Sequence, residues 1–370
     1  MSSDLMQRAR GLRSKEQRVK VIVQLKERPR GQLNALLNRA GVHVTSEFEN
    51  FNSQVIELPA GDLQELASYP EVSYISPDRD VQMLGHIEST TGAIAMRQLA
   101  GCSGIDGRDI GIAVIDSGIY NDHHSFSGRI VANVDFTGEN NLKEDPYGHG
   151  THVAAMAAAS RHVANGAYSG VAINSKIISL RVLNSQGIGT SSALLNALDW
   201  VMNNKTRFNI RVVNMSLGTM AVDSYTDDPL CRAVRRLSDA GVVVVAAAGN
   251  NGKDSAGQKI YGAIHSPGNE PSAITVGAVN TYGTDERGDD TIATYSSRGP
   301  TRSGWTGNDG VRHYDNLIKP DLVAPGNRLL GAESEDNSLI TTNPALDANV
   351  SEDEHHEQMA LSGTSMAAPI

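Results

Sequence analysis

Three short segments, far apart in the chain, hold the residues best suited to chemistry: Asp116 in GIAVIDSG, His149 in GHGTHVA and Ser365 in SGTSMAAP. A serine hydroxyl is a poor nucleophile at neutral pH. Acyl transfer through it needs an imidazole to take its proton and a carboxylate to hold the imidazole's tautomer. These three residue types supply that set if the fold gathers them.

Other polar groups compete for attention. His152 follows His149 by three positions, but without the glutamate placement of a zinc protease it is expected to pack on a helix. The pairs His123-His124 and His355-His356 can take a stray metal ion but read more simply as solvated loop histidines, and Asp122 as a turn carboxylate. The acidic runs TDERGDD and SEDEHHE offer oxygen clusters of the kind calcium uses, with no defined loop signature and so no named ligand. Cys102 and Cys231 lie in no CxxC or Cys/His pattern and read as buried thiols.

The elements that must position these groups come from a chain of 370 residues, 39% hydrophobic, with 36 glycines, enough for one large domain and a smaller one. A net charge of -10 argues against a nucleic-acid surface. The basic residues of the first thirty positions read as a solvated amino-terminal arm, assigned to residues 1–18. No run is long and apolar enough to span a membrane, and the amino terminus lacks the apolar core of a secretory signal. The compartment stays open: cytoplasmic, or exported if a leader precedes this sequence.

Residues 19–84 read as strand (VKVIVQL), helix (RGQLNALLNRAG, closed by Gly41), strand (VHVTSEF), strand (QVIEL), helix (GDLQELAS) and strand (EVSYIS). That order is the split, ferredoxin-like α+β pattern. Residues 85–370 are assigned to the second domain, where the texture changes after a linker of roughly twenty residues. DIGIAVID, SKIISLRVL, IRVVNMSLG, GVVVVAAAGN and AITVGAV are nearly continuous apolar strands, as in a parallel sheet covered on both faces, and THVAAMAAAS and SALLNALDWVMNN have helical spacing. The predicted class is α/β, a doubly wound and mostly parallel sheet, with ligands gathered at the strands' carboxyl ends. Asp116, Ser216 to Gly218 and Asn250 fall there.

The ordered segments VIDSGI, GHGTHVA, MSLG, AAAGNN, SSRGPT, KPDLVAPG and SGTSMAAP resemble those of the subtilisin-like serine proteases, or subtilases, over roughly residues 100 to 370. The Asp, His, Ser order is also theirs. SLRVL, the RGPT run and KPDLVAPG are most similar to the bacterial branch that includes AprX-type enzymes. The resemblance implies a serine endopeptidase in which Ser365 attacks, His149 moves the proton, Asp116 orients His149, and the Asn250 side chain joins the Ser365 N–H in an oxyanion hole. Ser365 is expected to begin the helix of SMAAP. Polypeptide substrates would pair as a strand between Gly187, Ile188, Gly189 and Ser216, Leu217, Gly218. Ala247, Ala248 and Gly249 would wall the primary pocket, with Ile264 to Pro267 near its base and His265 narrowing it or making it more polar. The chemistry requires no cofactor; structural calcium is compatible with the family.

By the same resemblance the first domain is a propeptide that assists folding and then inhibits the enzyme. Self-cleavage is expected after Leu84, leaving Gly85 as the new terminus. The family continues beyond the nucleophile through a buried helix, so a chain stopping at Ile370 is expected to be weakly folded or inactive on its own. Two other readings stay open at this level: a non-catalytic or inhibitory module, and a transpeptidase that passes the same acyl-enzyme to an amine.

Overall fold

The computed structural model describes residues 1, 5, 17–78, 87–99, 104–140, 144–351 and 353–370. Most of the basic arm, Cys102 and the Leu84–Gly85 junction lie outside them. The chain divides into two compact units, Met1–Gln82 and Met83–Ile370.

In the first unit, β1 (Arg18–Leu25), α1 (Gly31–Leu37), β2 (His43–Phe48), β3 (Ser53–Pro59), α2 (Leu63–Ser68) and β4 (Val72–Pro77) follow one another. The strands form an antiparallel sheet in the order β2-β3-β1-β4, the ferredoxin-like arrangement. Strand alternation and helix periodicity build one core: Val21 and Val23 of β1, Ile56 and Leu58 of β3 and Ile75 of β4 meet Leu33 and Leu36 of α1 and Leu63 and Leu66 of α2. Two expectations shift. Helix α1 stops at Leu37, well before Gly41, because the Asn38 side chain donates to the Asn34 carbonyl at 2.8 Å and caps the last turn. β2 is an edge strand whose register slips between Val44 and Ser46, so its alternating pattern is mostly solvent-facing.

In the second unit, β5 (Gly111–Asp116), β6 (Ile130–Asp135), β7 (Lys176–Arg181), β8 (Ile210–Met215), β9 (Val243–Ala247) and β10 (Ile274–Asn280) run parallel. The sheet order is β11-β10-β9-β8-β5-β7-β6, where β11 (Thr291–Ile292) is antiparallel and β12 (Leu322–Pro325) adds parallel to β10. Central β5 explains its unbroken apolar run: Ala113 and Ile115 face a core with α4 (Ser191–Asn204) and α5 (Pro229–Asp239), while Ile112 and Val114 face α3 (His149–Ala158). Each large aliphatic side chain buried there contributes about 1.5–3 kcal/mol. Helix α5 is an element beyond those read from the sequence pattern. Its start is set by Pro229 and by Asp228, whose carboxylate accepts from the Leu230 and Cys231 N–H groups at 2.8 and 3.3 Å.

A hairpin of β13 (Leu329–Ala332) and β14 (Gln358–Leu361) packs beside α3 and delivers the chain to α6 (Thr364–Ala367). Gly331 permits this approach, since a Cβ there would lie 2.5 Å from Met156 and 3.0 Å from the His152 ring. Among the described residues no helix is long and apolar enough to cross a membrane.

Candidate active site

Asp116 ends β5 and is buried; His149 opens α3 from the next segment. The His149 Nδ1–H donates to Asp116 Oδ1 at 2.7 Å, and that oxygen also accepts from the Ser117 N–H at 2.8 Å. The contact fixes the tautomer in which Nε2 carries the lone pair. Burial by itself pushes the His149 pKa down. The Asp116 charge and hydrogen bond, helped by the Asp145 charge, outweigh it and hold the imidazole above its ordinary value.

Asp145 is the positioning residue that sequence reasoning missed. Helix α3 begins with Gly148 in the left-handed region and has no capping side chain of its own. Asp145, 1% exposed, does that work from a distance: Oδ1 accepts from the Gly148 N–H at 3.0 Å, Oδ2 from the Thr151 N–H and hydroxyl, both at 2.8 Å. Ser117 joins the network, accepting from the Gly150 N–H at 2.9 Å. Burial raises the Asp145 pKa against these hydrogen bonds. Its signal in the sequence was a carboxylate just ahead of a helix start.

Ser365 sits second in the single turn α6, so the helix begins one residue earlier than expected. Its hydroxyl donates to the Ser216 carbonyl at 2.9 Å, and the Ser216 hydroxyl donates back to the Ser365 carbonyl at 2.6 Å. Asn214 Nδ2 donates in turn to Ser216 Oγ at 2.9 Å. Asn250 lies across from this turn: its Oδ1 accepts from the Thr364 N–H and hydroxyl at 2.9 and 3.0 Å. With the oxygen engaged, its NH₂ takes no protein acceptor among the described residues. The Thr364 oxygen is also an acceptor for the Gly249 N–H at 3.1 Å, tying the two segments together.

The predicted substrate-facing segments flank these groups unequally. Half-buried Gly187 and exposed Ile188 and Gly189 form the tip of a turn organised by Asn184, whose Oδ1 accepts from the Gln186 and Ile188 N–H groups at 3.0 Å. Gly187 has φ +73°, and a Cβ there would lie 2.4 Å from the Tyr147 ring, so a side chain is excluded twice over. Ser216 is buried and already used internally, Leu217 is half-buried and Gly218 is exposed. Ala247, Ala248 and Gly249 are buried at the end of β9. The His265 ring covers Gly249, where a Cβ would lie 2.8 Å from it, and His265 Nε2 meets Asn251 Oδ1 at 2.8 Å. Burial lowers the His265 pKa, so a polar but neutral ring flanks that segment.

The remaining candidates separate clearly. His152 is fully buried against the Leu329 carbonyl at 3.0 Å, and burial takes its pKa down to about 4. The two histidine pairs are not independent solvated loops: the fold brings them together, because the turn after β5 packs on the segment that leads into β14. Among the described residues no three His, Cys, Asp or Glu side chains converge as a metal cage.

A family model described as the subtilase family matches residues 107–370. Serine protease AprX of Bacillus subtilis (strain 168) is 33% identical over 332 residues, covering 88% of this chain and 69% of that protein. Subtilisin E of the same organism is 30% identical over 250 residues, 66% of this chain and 61% of its own. The extracellular serine proteinase of Thermus sp. (strain Rt41A) is 30% identical over 325 residues, 85% of this chain and 63% of its own. The chain thus spans less than two thirds of two of these relatives.

Proposed function

The chain belongs to the subtilase family of serine endopeptidases, and from that premise we propose that it hydrolyses peptide bonds through an acyl-enzyme formed on Ser365. The observation that supports this most is the 2.7 Å contact from His149 Nδ1 to the buried Asp116, which leaves Nε2 free to act as base. In this reading the Ser365 hydroxyl turns from the Ser216 carbonyl toward Nε2 as a substrate arrives, and attacks the scissile carbonyl while His149 takes its proton. The oxyanion is held by the Ser365 N–H and the Asn250 NH₂, a donor already aimed because its oxygen is bound by Thr364. His149 returns the proton to the leaving amine, and water then releases the acyl group by the same route. The edges at Gly187 to Gly189 and at Gly218 bind the polypeptide through its main chain, with Ala247 to Gly249 and the His265 ring beside the side chain that enters the primary pocket.

We further propose that the first unit is a propeptide and intramolecular inhibitor, removed by self-cleavage after Leu84. Its ferredoxin-like sheet is compatible with such a role. Intact mass and amino-terminal sequencing of the full-length protein, carrying the segment that follows the nucleophile in the family, beside a Ser365→Ala control test this. A new terminus at Gly85 in the parent alone is expected; a terminus outside residues 79–88, or the same cleavage in the control, overturns it.

A further inference from the structure

The histidines after β5 and those before β14 meet on the surface of the second unit, and the backbone holds them there. The His124 N–H donates to the His355 carbonyl at 2.9 Å, and the His123 Nε2 meets the Glu357 carbonyl at 2.9 Å. Between these ties His124 Nδ1 lies 2.6 Å from His356 Nε2. His356 Nδ1 is engaged by Asp353 Oδ2 at 2.9 Å, so the proton of that ring sits on Nδ1 and the Nε2 lone pair faces His124.

We propose that His124 Nδ1 and His356 Nε2 form a two-nitrogen site for an imidazole-preferring divalent cation of the zinc class. Two ring nitrogens this close must share a proton or another cation, because two bare lone pairs repel. Bound to one tetrahedral zinc at about 2.0–2.1 Å each, they would lie roughly 3.3 Å apart, a small opening of the present contact. Asp353 orients the ligating ring as carboxylates do behind metal-bound histidines. The surroundings favour a cation, since Asp122, Glu335, Glu354 and Glu357 lie on the same segments or beside Tyr120. Imidazole selects zinc, copper or nickel over magnesium or calcium.

The neighbouring histidines have other work. His123 is fully buried, its Nδ1 accepting from the Ser125 N–H at 3.1 Å and its Nε2 taken by the Glu357 carbonyl. His355 stacks on His124 with ring centroids 5.6 Å apart, its Nδ1 3.2 Å from the Tyr120 hydroxyl. Protein therefore supplies two ligands and water the rest. The bound ion would clamp the segment following Asp116 to the strand that delivers Ser365, adding stability by mass action and taking no part in peptide hydrolysis.

The test is calorimetric titration of ZnCl₂ and MgCl₂ into the Ser365→Ala chain, which cannot digest itself, and into the same chain carrying His124→Ala, His356→Ala or Asp353→Asn. Zinc binding and a raised Tm are expected in the Ser365→Ala parent, with neither from magnesium. Either alanine variant should lose that zinc site while keeping the His149–Asp116 pair, and Asp353→Asn should weaken it roughly tenfold or more. A Cu²⁺ electron paramagnetic resonance spectrum of the parent gives a readout that needs no folded variant, with splitting from two nitrogens expected. No zinc uptake by the parent, undiminished affinity in folded His356→Ala, or a copper spectrum without nitrogen splitting would overturn the assignment.

Discussion

Replacing Asp145 by asparagine separates a positioning role from a purely structural one. The substitution keeps shape and one carbonyl acceptor but turns the other oxygen into a donor. Oδ2 holds two contacts, the Thr151 N–H and hydroxyl, whereas Oδ1 holds the Gly148 N–H, so the new NH₂ settles at the Oδ1 position and opposes a backbone N–H. One buried donor loses its acceptor, at a cost of about 1–3 kcal/mol. In urea, with a slope of about 3 kcal/mol per M, this lowers the unfolding midpoint by roughly 0.3–1 M, read on the Ser365→Ala background. The second consequence is electrostatic. The Asp145 charge helps to raise the His149 pKa, so its removal lowers it. A base must be neutral to accept a proton, so kcat/KM rises as pH passes the His149 pKa, and in Asp145→Asn that acidic limb moves to lower pH. A pH profile with a short peptide substrate reads it. An unmoved limb together with an unmoved urea midpoint, or a limb displaced to higher pH, would refute the reasoning.

If the Asn250 amide donates to the oxyanion as proposed, Asn250→Ala should reduce kcat by about 10²–10³ with little change in KM, the usual size for loss of one such donor; steady-state kinetics against the parent checks it. Gly187→Ala places a Cβ into the Tyr147 ring at a left-handed backbone position, so it should destabilise by about 1–3 kcal/mol and raise KM more than it lowers kcat. Cys231 is fully buried and its thiol pKa is pushed up by burial, so in a Cys102→Ser background a thiol reagent should label the chain only after unfolding.

Much of the second unit was legible because its strands are buried on both faces, and continuous apolar runs such as Gly111–Asp116 have few other readings. Short-range signals also marked the segments that carry Asp116, His149, Asn250 and Ser365. What escaped depended on long-range packing. The early end of α1 comes from an asparagine bonding its own helix, and α5 was hidden by its many charges despite the Asp228-Pro229 start. The histidine pairs looked like solvated loops because nothing local reveals that residues 124 and 356 touch. The Ser365 hydroxyl likewise rests on the Ser216 carbonyl rather than on His149, a rotamer set where the end of β8 meets α6.

The central claim, that Ser365 is a nucleophile activated by His149, is tested most directly by fluorophosphonate labelling with peptide mapping of the parent, Ser365→Ala and His149→Ala chains. A single adduct on Ser365 in the parent, absent from Ser365→Ala and strongly slowed in His149→Ala, is the predicted result. An unlabelled parent that is folded, or labelling that persists undiminished without His149, would contradict it.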